Sequence, residues 1–191
     1  MPRASASDAA LTAARILGAA TEHFAERGFA ISSVDAIARA ADVTRGAVYH
    51  HYTSKAGLFA AVAQVQQQAV AEAIVAATGD TNDTRAALRR GSHAFLDAIT
   101  RGPAARVLLV DGPAVLSWED WRRLDGAGPA RELRQGLAEL GLAPALLDPL
   151  TAALSGAMNE LAVWLSGRTD DEDARVRGHE ALDRLLDAVT G

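Results

Sequence analysis

Between Asp42 and Leu58 the chain reads DVTRGAVYHHYTSKAGL, which gathers Thr44, Arg45, Tyr49, His50, His51 and Lys55 into about three helical turns, with Gly46 near the front. These types suit contact with an external polyanion. An arginine can pair bidentately with guanine or clamp a phosphate, and a threonine can meet a phosphate or a thymine methyl. Gly46, without a side chain, lets backbone approach a duplex closely. Lys55 falls in the first turn of the next helix, where a phosphate would also find exposed N–H groups. Ser32 or Ser33 can play the same part at an earlier helix start.

Plainer roles compete with these. Tyr49 can pack its ring and expose only its hydroxyl, Arg45 and Lys55 can simply be solvated, and Ser32 and Ser33 can be caps whether or not anything binds. Metal binding is not expected, because His50 and His51 are adjacent helical positions that point apart and neither has a carboxylate four residues on. His50 is expected to face outward. Catalysis is not expected either. The chain has no Cys, no His-Glu-x-x-His, no Gly-x-Ser-x-Gly and no phosphate loop. Gly126-Ala127-Gly128-Pro129 lacks the preceding strand that a dinucleotide turn requires. No cofactor is expected.

The elements that must position these groups read as helices throughout. Ala and Leu dominate the 191 residues, apolar residues make up 49%, and β-branched runs are nearly absent, so the fold class is all-α with enough apolar surface for a real core. Ile16, Leu17, Ala20 and Phe24 form one stripe before Gly28 stops the first helix, after which Phe29 and Ile31 lead inward. Ser32 with Asp35 resembles a capping box for a second helix carrying Val34, Ile37 and Ala38. A sharp turn at Ala41-Asp42-Val43 precedes a short third helix capped by Thr44 and running to about His51, which makes a helix-turn-helix. Thr53-Ser54-Lys55 opens a long fourth helix with Leu58, Phe59, Val62, Val65 and Val70 inward, ending near Thr78-Gly79-Asp80.

Beyond Thr81 the breakers divide the chain into Arg85 to Thr100, Ala104 to about Asp111, Ser117 to about Leu140 with a break near Gly126, Leu147 to Ser166, and Asp173 to Val189. Net charge is −5 overall, yet residues 1–57 carry six bases against five acids, so the deficit lies in the remainder. The longest Ala/Val/Leu stretch is interrupted by Gln64, Gln66, Gln67, Gln68 and Glu72, so no span of about 18 apolar residues suggests a membrane. The start, MPRASASDAA, lacks the apolar centre of a signal peptide and reads as a flexible arm over residues 1–10. With no Cys, a reducing cytoplasm is the expected compartment.

The run RILGAATEHFAERGFAISSVDAIARAADVTRGAVYHHYTSKAGLF, Arg15 to Phe59, resembles the DNA-binding domain of the TetR family of transcriptional repressors. Phe24, Gly28, Ser32/Ser33, Ile37-Ala38, Val43, Tyr49-His50-His51-Tyr52 and Ser54-Lys55 carry that resemblance, and Arg106 to Asp125 is similar to regulatory-domain sequence in the same family. Asp42 departs from the pattern by standing where the family usually has Gly, although Asp tolerates a left-handed backbone better than most residues. The resemblance implies a DNA-binding domain over residues 11–57 and a ligand-binding and dimerisation domain over residues 58–191. In it Tyr49 and His50 match positions that touch sugar-phosphate and base, and the partners are a palindromic operator, a second copy of the chain and a small, mostly apolar effector.

For the effector the expected lining is His93, Leu96, Trp118, Trp121, Met158, Asn159 and Trp164, with core packing as the rival role for the tryptophans and a solvated charge network for His93. For the dimer the expected face is Leu150, Leu154, Ala157 and Leu161 on one helix and Leu182, Leu185 and Leu186 on the last. A helical interaction module with a non-functional reading head is the alternative function, and an exposed Arg45 and Tyr49 would argue against it.

Overall fold

The computed structural model describes residues 6–79 and 81–191, and every regular element among them is helical. Helix α1 (Ala6–Ile31) buries Ile16, Ala20 and Phe24 completely. It starts five residues before the expected Leu11. Residues 6–10 are therefore helical rather than a flexible arm, and residues 1–5 of that arm lie outside the described residues. Gly28 interrupts the helix with φ 78, a left-handed backbone that glycine adopts without steric cost. The break turns Phe29 toward the core but leaves Ile31 78% exposed, so the expectation that both point inward is corrected.

Helix α2 (Val34–Ala40) is capped by Ser33, whose Oγ accepts a hydrogen bond from the Ala36 N–H at 3.1 Å. The cap is thus one residue later than the expected Ser32–Asp35 box. In the turn to α3 (Arg45–Tyr52), Asp42 adopts φ 52, and the Val43 N–H donates to the Ala38 carbonyl at 2.9 Å. Thr44 caps α3 by accepting from the Ala47 N–H, and Val48 anchors the helix from beneath. Helix α4 (Lys55–Thr78) follows directly, capped by Ser54.

Phe59, in the second turn of α4, packs edge-on against Phe24 and Phe29 at centroid distances of 5.2 and 5.3 Å. Leu58 and Val62 are fully buried beside it, so the core of the N-terminal head continues past the expected boundary at residue 57 into an unbroken helix. Val65, expected inward, is exposed. The Asp80 end of the expected turn lies outside the described residues.

The remaining helices are α5 (Thr84–Ile99), α6 (Gly102–Ala104), α7 (Gly112–Val115), α8 (Trp118–Ala127), α9 (Pro129–Glu139), α10 (Pro144–Ser166) and α11 (Glu172–Thr190). Between α6 and α7 a π-helical segment, Ala105–Asp111, carries the chain through the expected break at Gly112-Pro113. A Cβ at Gly112 would stand 2.9 Å from the Val107 carbonyl, which suits only glycine there. The α8–α9 break falls at Gly128 rather than Gly126, where the backbone passes close to the Gln67 carbonyl of α4. Helix α10 begins at Pro144 and continues through Pro149, which is exposed, so water can satisfy the carbonyl it leaves unpaired.

Any Cβ at position 28 would meet the Arg106 guanidinium at 2.6 Å in addition to the left-handed strain. Gly28→Ala is therefore expected to lower unfolding stability by about 2 kcal/mol. Urea denaturation monitored by circular dichroism checks this, and an unchanged midpoint would contradict it.

Candidate nucleic-acid interface and regulatory cavities

The outward face of α3 presents Thr44, Arg45, Gly46, Tyr49 and His50, while Val48 faces the core. The split follows from helical geometry: residues 45 and 49 lie four apart on one face and residues 48 and 52 four apart on the other. Tyr52 accordingly turns inward, donating its hydroxyl to the Ala13 carbonyl at 2.8 Å, and partial burial pushes its phenol pKa up. Tyr49 stays 37% exposed. Arg45 reaches Asp35 of α2 at 3.0 Å and donates to the Tyr49 hydroxyl at 3.3 Å, so the guanidinium is oriented before anything binds. His50 is exposed and His51 half-buried beside it.

Lys55, the only lysine in the chain, lays its ammonium 4.3 Å from the centre of the Phe29 ring and donates to the Ala30 carbonyl. A phosphate would have to draw it from that seat. Ser33 is exposed at the start of α2, whereas Ser32 is only 3% exposed and donates its hydroxyl to the Gly28 carbonyl at 2.8 Å. Ser32 therefore cannot serve as an interface residue as expected; it fastens the left-handed turn.

The expected effector residues separate into five places. Met158 lines a cavity of about 210 Å³ enclosed by α4, α5, α9 and α10, together with Asp125 from the end of α8. Trp118, Trp121 and Asn159 line a second cavity of about 280 Å³ on the far side of α10, beside Leu108 and Arg122. Leu96 is fully buried core and reaches neither cavity, and Trp164 lies on the surface beneath the Arg168 guanidinium. These two expectations are corrected: both helices turn the residues away from the hollows.

His93 also lines neither cavity. Its Nε2 meets Asp183 of α11 at 2.7 Å and its Nδ1 meets Nδ1 of His179 at 2.7 Å, with Arg89 bridging Asp183 and Asp187 alongside. The charge network was the rival role, and its partners lie on α11.

Trp118 is 73% exposed and stacks on buried Trp121, whose indole N–H points to the Leu108 carbonyl. Asn159 donates to the Ser155 carbonyl at 3.0 Å, while its Oδ1 is buried without a hydrogen-bond partner. Asp125 is buried, and Ser155 donates its hydroxyl to Oδ2 at 2.9 Å. Burial pushes the Asp125 carboxyl up, against the pull of Ser155 and Arg122.

The expected dimer residues divide as well. Leu154, Leu182 and Leu186 are buried within the chain's own core and cannot meet a partner, because α10 and α11 turn those positions toward α5 and one another. Leu150, Ala157 and Leu161 are half-exposed and Leu185 is exposed, alongside Leu146, Val163 and Val176.

One long-range contact escaped the sequence. Asp111, at the end of the π-helical segment, accepts a hydrogen bond from the Phe29 N–H at 2.8 Å, and Arg106 of the same segment lies against Gly28. The partners of that bond are 82 positions apart, and no local pattern marks them.

Comparison with known proteins agrees with this geometry. Residues 16–62 match the model of bacterial regulatory proteins of the tetR family, and residues 85–189 match that of the tetracyclin repressor-like C-terminal domain. The chain belongs to the TetR family: it is a DNA-binding transcriptional regulator, and the family is one of regulators rather than enzymes.

Among curated relatives it is 35% identical over 85 residues to the transcriptional activator FasR of Mycolicibacterium smegmatis, covering 44% of this chain and 39% of that one. It is 43% identical over 67 residues to the regulator SrpR of Pseudomonas putida, covering 35% of this chain and 32% of that one. The match thus spans only about a third to two-fifths of these relatives' lengths. A TetR-family regulator from Pectobacterium atrosepticum superposes with a TM-score of 0.80 at 27% identity, over 97% of both chains. RolR with resorcinol bound shares the fold, with a TM-score of 0.71 at 16% identity over 97% and 96% of the two chains. No described helix is long and apolar enough to cross a membrane.

The paired imidazoles make stability sensitive to acid. Burial and then the neighbouring His93 push the His179 pKa down, so the unfolded chain takes up that proton first as pH falls. A second proton on the pair would also set two N–H groups against each other across the Nδ1 to Nδ1 contact. The melting temperature is therefore expected to hold steady above the ordinary histidine pKa of about 6.5 and to fall below it, with a smaller fall in His179→Gln. Calorimetry across that range checks the sign, and a wild-type melting temperature that rises on acidification would contradict it.

Proposed function

We propose that this regulator is a ligand-responsive repressor, acting as a homodimer on a palindromic operator. Arg45, Tyr49, His50 and Gly46 meet bases and nearby backbone, with Thr44, Ser33 and Lys55 on phosphates. The observation that carries this is the outward face of α3, where Arg45 and Tyr49 are exposed and already oriented on a helix anchored by Val48. An N-terminal recognition surface of that kind fits the major groove.

Dimerisation is supported by the apolar residues that α10 and α11 leave uncovered, Val163, Leu185 and Val176 among them. Two copies related by a twofold axis would need their recognition helices about 34–36 Å apart to read successive major grooves. A coupling of about 1–3 kcal/mol between ligand and operator would change affinity some 5- to 150-fold.

The Met158 cavity suits the regulatory role because its walls include Ile74 and Thr78 of α4, the same helix whose first turns carry the head. A shift of α4 against α5 would tilt the head, and the Asp111–Phe29 bond ties that tilt to the π-helical segment. One related regulator, FasR, is named an activator, so the sign of the transcriptional effect is itself a test.

Selection from a random duplex pool is expected to yield a palindrome. On that duplex, Arg45→Ala and Tyr49→Ala are each expected to weaken binding by about tenfold or more in a gel-shift titration, with melting and sedimentation unchanged. Affinity equal to wild type in both variants would remove α3 from the interface. A reporter driven through the selected site should fall when the protein is expressed, and a rise would mean activation.

Asp111→Asn removes the charge of the acceptor that holds the Phe29 amide. It is expected to lower operator affinity several-fold while leaving the isolated fold cooperative, and an unchanged gel-shift would show that the bond does not set head orientation.

A further inference from the structure

We infer that the cavity between α4, α5, α9 and α10 takes a small amphipathic cation, its ammonium group seated against Asp125. The inference rests on reading this cavity as the effector site and adds the charge class of the ligand. Among the described residues three ionisable side chains line the hollow, Asp125, Glu132 and Glu139, and all are acids, with no Lys, Arg or His in the described wall. The remainder is apolar surface from Leu88, Phe95 and Met158, broken by hydroxyl groups such as Ser92 and Ser155.

Asp125 dominates the electrostatics because it is the most deeply placed of the three, with 1% of its surface exposed. Ser155, Arg122 and Asn159 all favour its charged form, and the first two share one oxygen. Ser155 donates to Oδ2 at 2.9 Å, and the Arg122 Nη1 stands 3.6 Å from the same atom, beyond hydrogen-bond length. Arg122 itself lines the other cavity and reaches this one only through that contact with Asp125.

A buried carboxylate so placed is short of counter-charge. A carboxylate or phosphate ligand would bring a further negative charge beside the buried Asp125, with Glu132 half-buried and Glu139 exposed nearby, which is unfavourable. A neutral ligand would leave Asp125 as it is. An ammonium supplies both the missing charge and hydrogen-bond donors, while an attached ring or chain covers the Leu88, Phe95 and Met158 wall. Glu132 adds to the field near the rim, where Arg131 already pairs with it from outside.

Seating a ligand on Asp125 also reaches the dimer helix. Ser155, which holds the carboxylate, and Met158 belong to α10, while Ile74 and Thr78 belong to α4. One cation would thus bridge the helix that carries the head and a helix of the uncovered face.

The test uses three probes sharing one phenylbutyl skeleton: phenylbutylamine, phenylbutanol and phenylbutyrate, titrated calorimetrically into the full chain at neutral pH. The amine is expected to bind about tenfold or more tighter than the alcohol, and the butyrate most weakly. Asp125→Asn should bring the amine to the alcohol's affinity while leaving the alcohol's unchanged. If Asp125→Asn does not melt cooperatively, Glu132→Gln replaces it, with a partial loss of the amine's lead expected.

Butyrate binding as tightly as the amine, an amine preference that survives the substitution, or no binding by any probe would overturn the proposal. Operator affinity measured with the amine present separates the two layers. Charge-selective binding that leaves DNA affinity unchanged would refute the effector role and keep the ligand class.

Discussion

The arrangement of the whole molecule turns on the Gly28-Phe29 corner. Gly28 must be left-handed so that the Phe29 ring can enter the core between Phe24 and Phe59 while its N–H faces outward to Asp111. Ser32 closes the corner from the other side, and the Lys55 ammonium covers the exposed face of the same ring. The corner thus joins three parts: the end of α1, the first turns of α4, and the π-helical segment of the regulatory domain. A part-buried charge-assisted hydrogen bond is directional, and an aromatic cluster is not. Together they fix where the head sits and how firmly.

A net charge of −5 is compatible with DNA binding if the interface is the proposed one, which uses few charges at chosen positions. The bases of the proposed interface are Arg45 and Lys55, and both are held by contacts within the chain. Arg45 is shared between Asp35 and Tyr49, Lys55 between Phe29 and Ala30. Exposed ion pairs of this kind are weak and readily exchanged, so a phosphate or guanine can take over the arginine at little cost. The regulatory domain keeps its acidity where it serves internal contacts, as in the Arg89–Asp183–His93 network between α5 and α11.

What the sequence made legible was governed by local forces. The four helices of the head follow from caps and apolar spacing, and the left-handed turn at Asp42 follows from a residue type that tolerates it. Beyond α4 the long helices were legible for the same reason, but the five expected pieces became seven α-helices and a π-helical segment. What failed was facing. Ser32 and Ser33 are the same residue type side by side, and only the tertiary position of Gly28 decides which is buried.

Leu154 and Leu182 were assigned outward from stripes with apolar residues on more than one side, and periodicity cannot rank two apolar faces of one helix. The π-helical segment was invisible too, because its extra residue per turn is imposed by packing against α1 and α4 rather than by composition.

The two cavities show why the regulatory domain resists reading from composition. Aromatic content pointed to Trp118 and Trp121, yet those rings stack on each other around a hollow with Arg122 at its edge. The acidic cavity is walled in part by threonines, alanines and leucines that carry no distinctive signal. Asp125 becomes informative only once α8 ends there and α10 delivers Ser155, 30 positions later, to its carboxylate. In the C-terminal half the polar groups of the cavity come together where a helix end meets a helix middle. The polar side chains of α3, by contrast, sit on one short helix, so that helix could be read from residues 42–58 while the cavities required the fold.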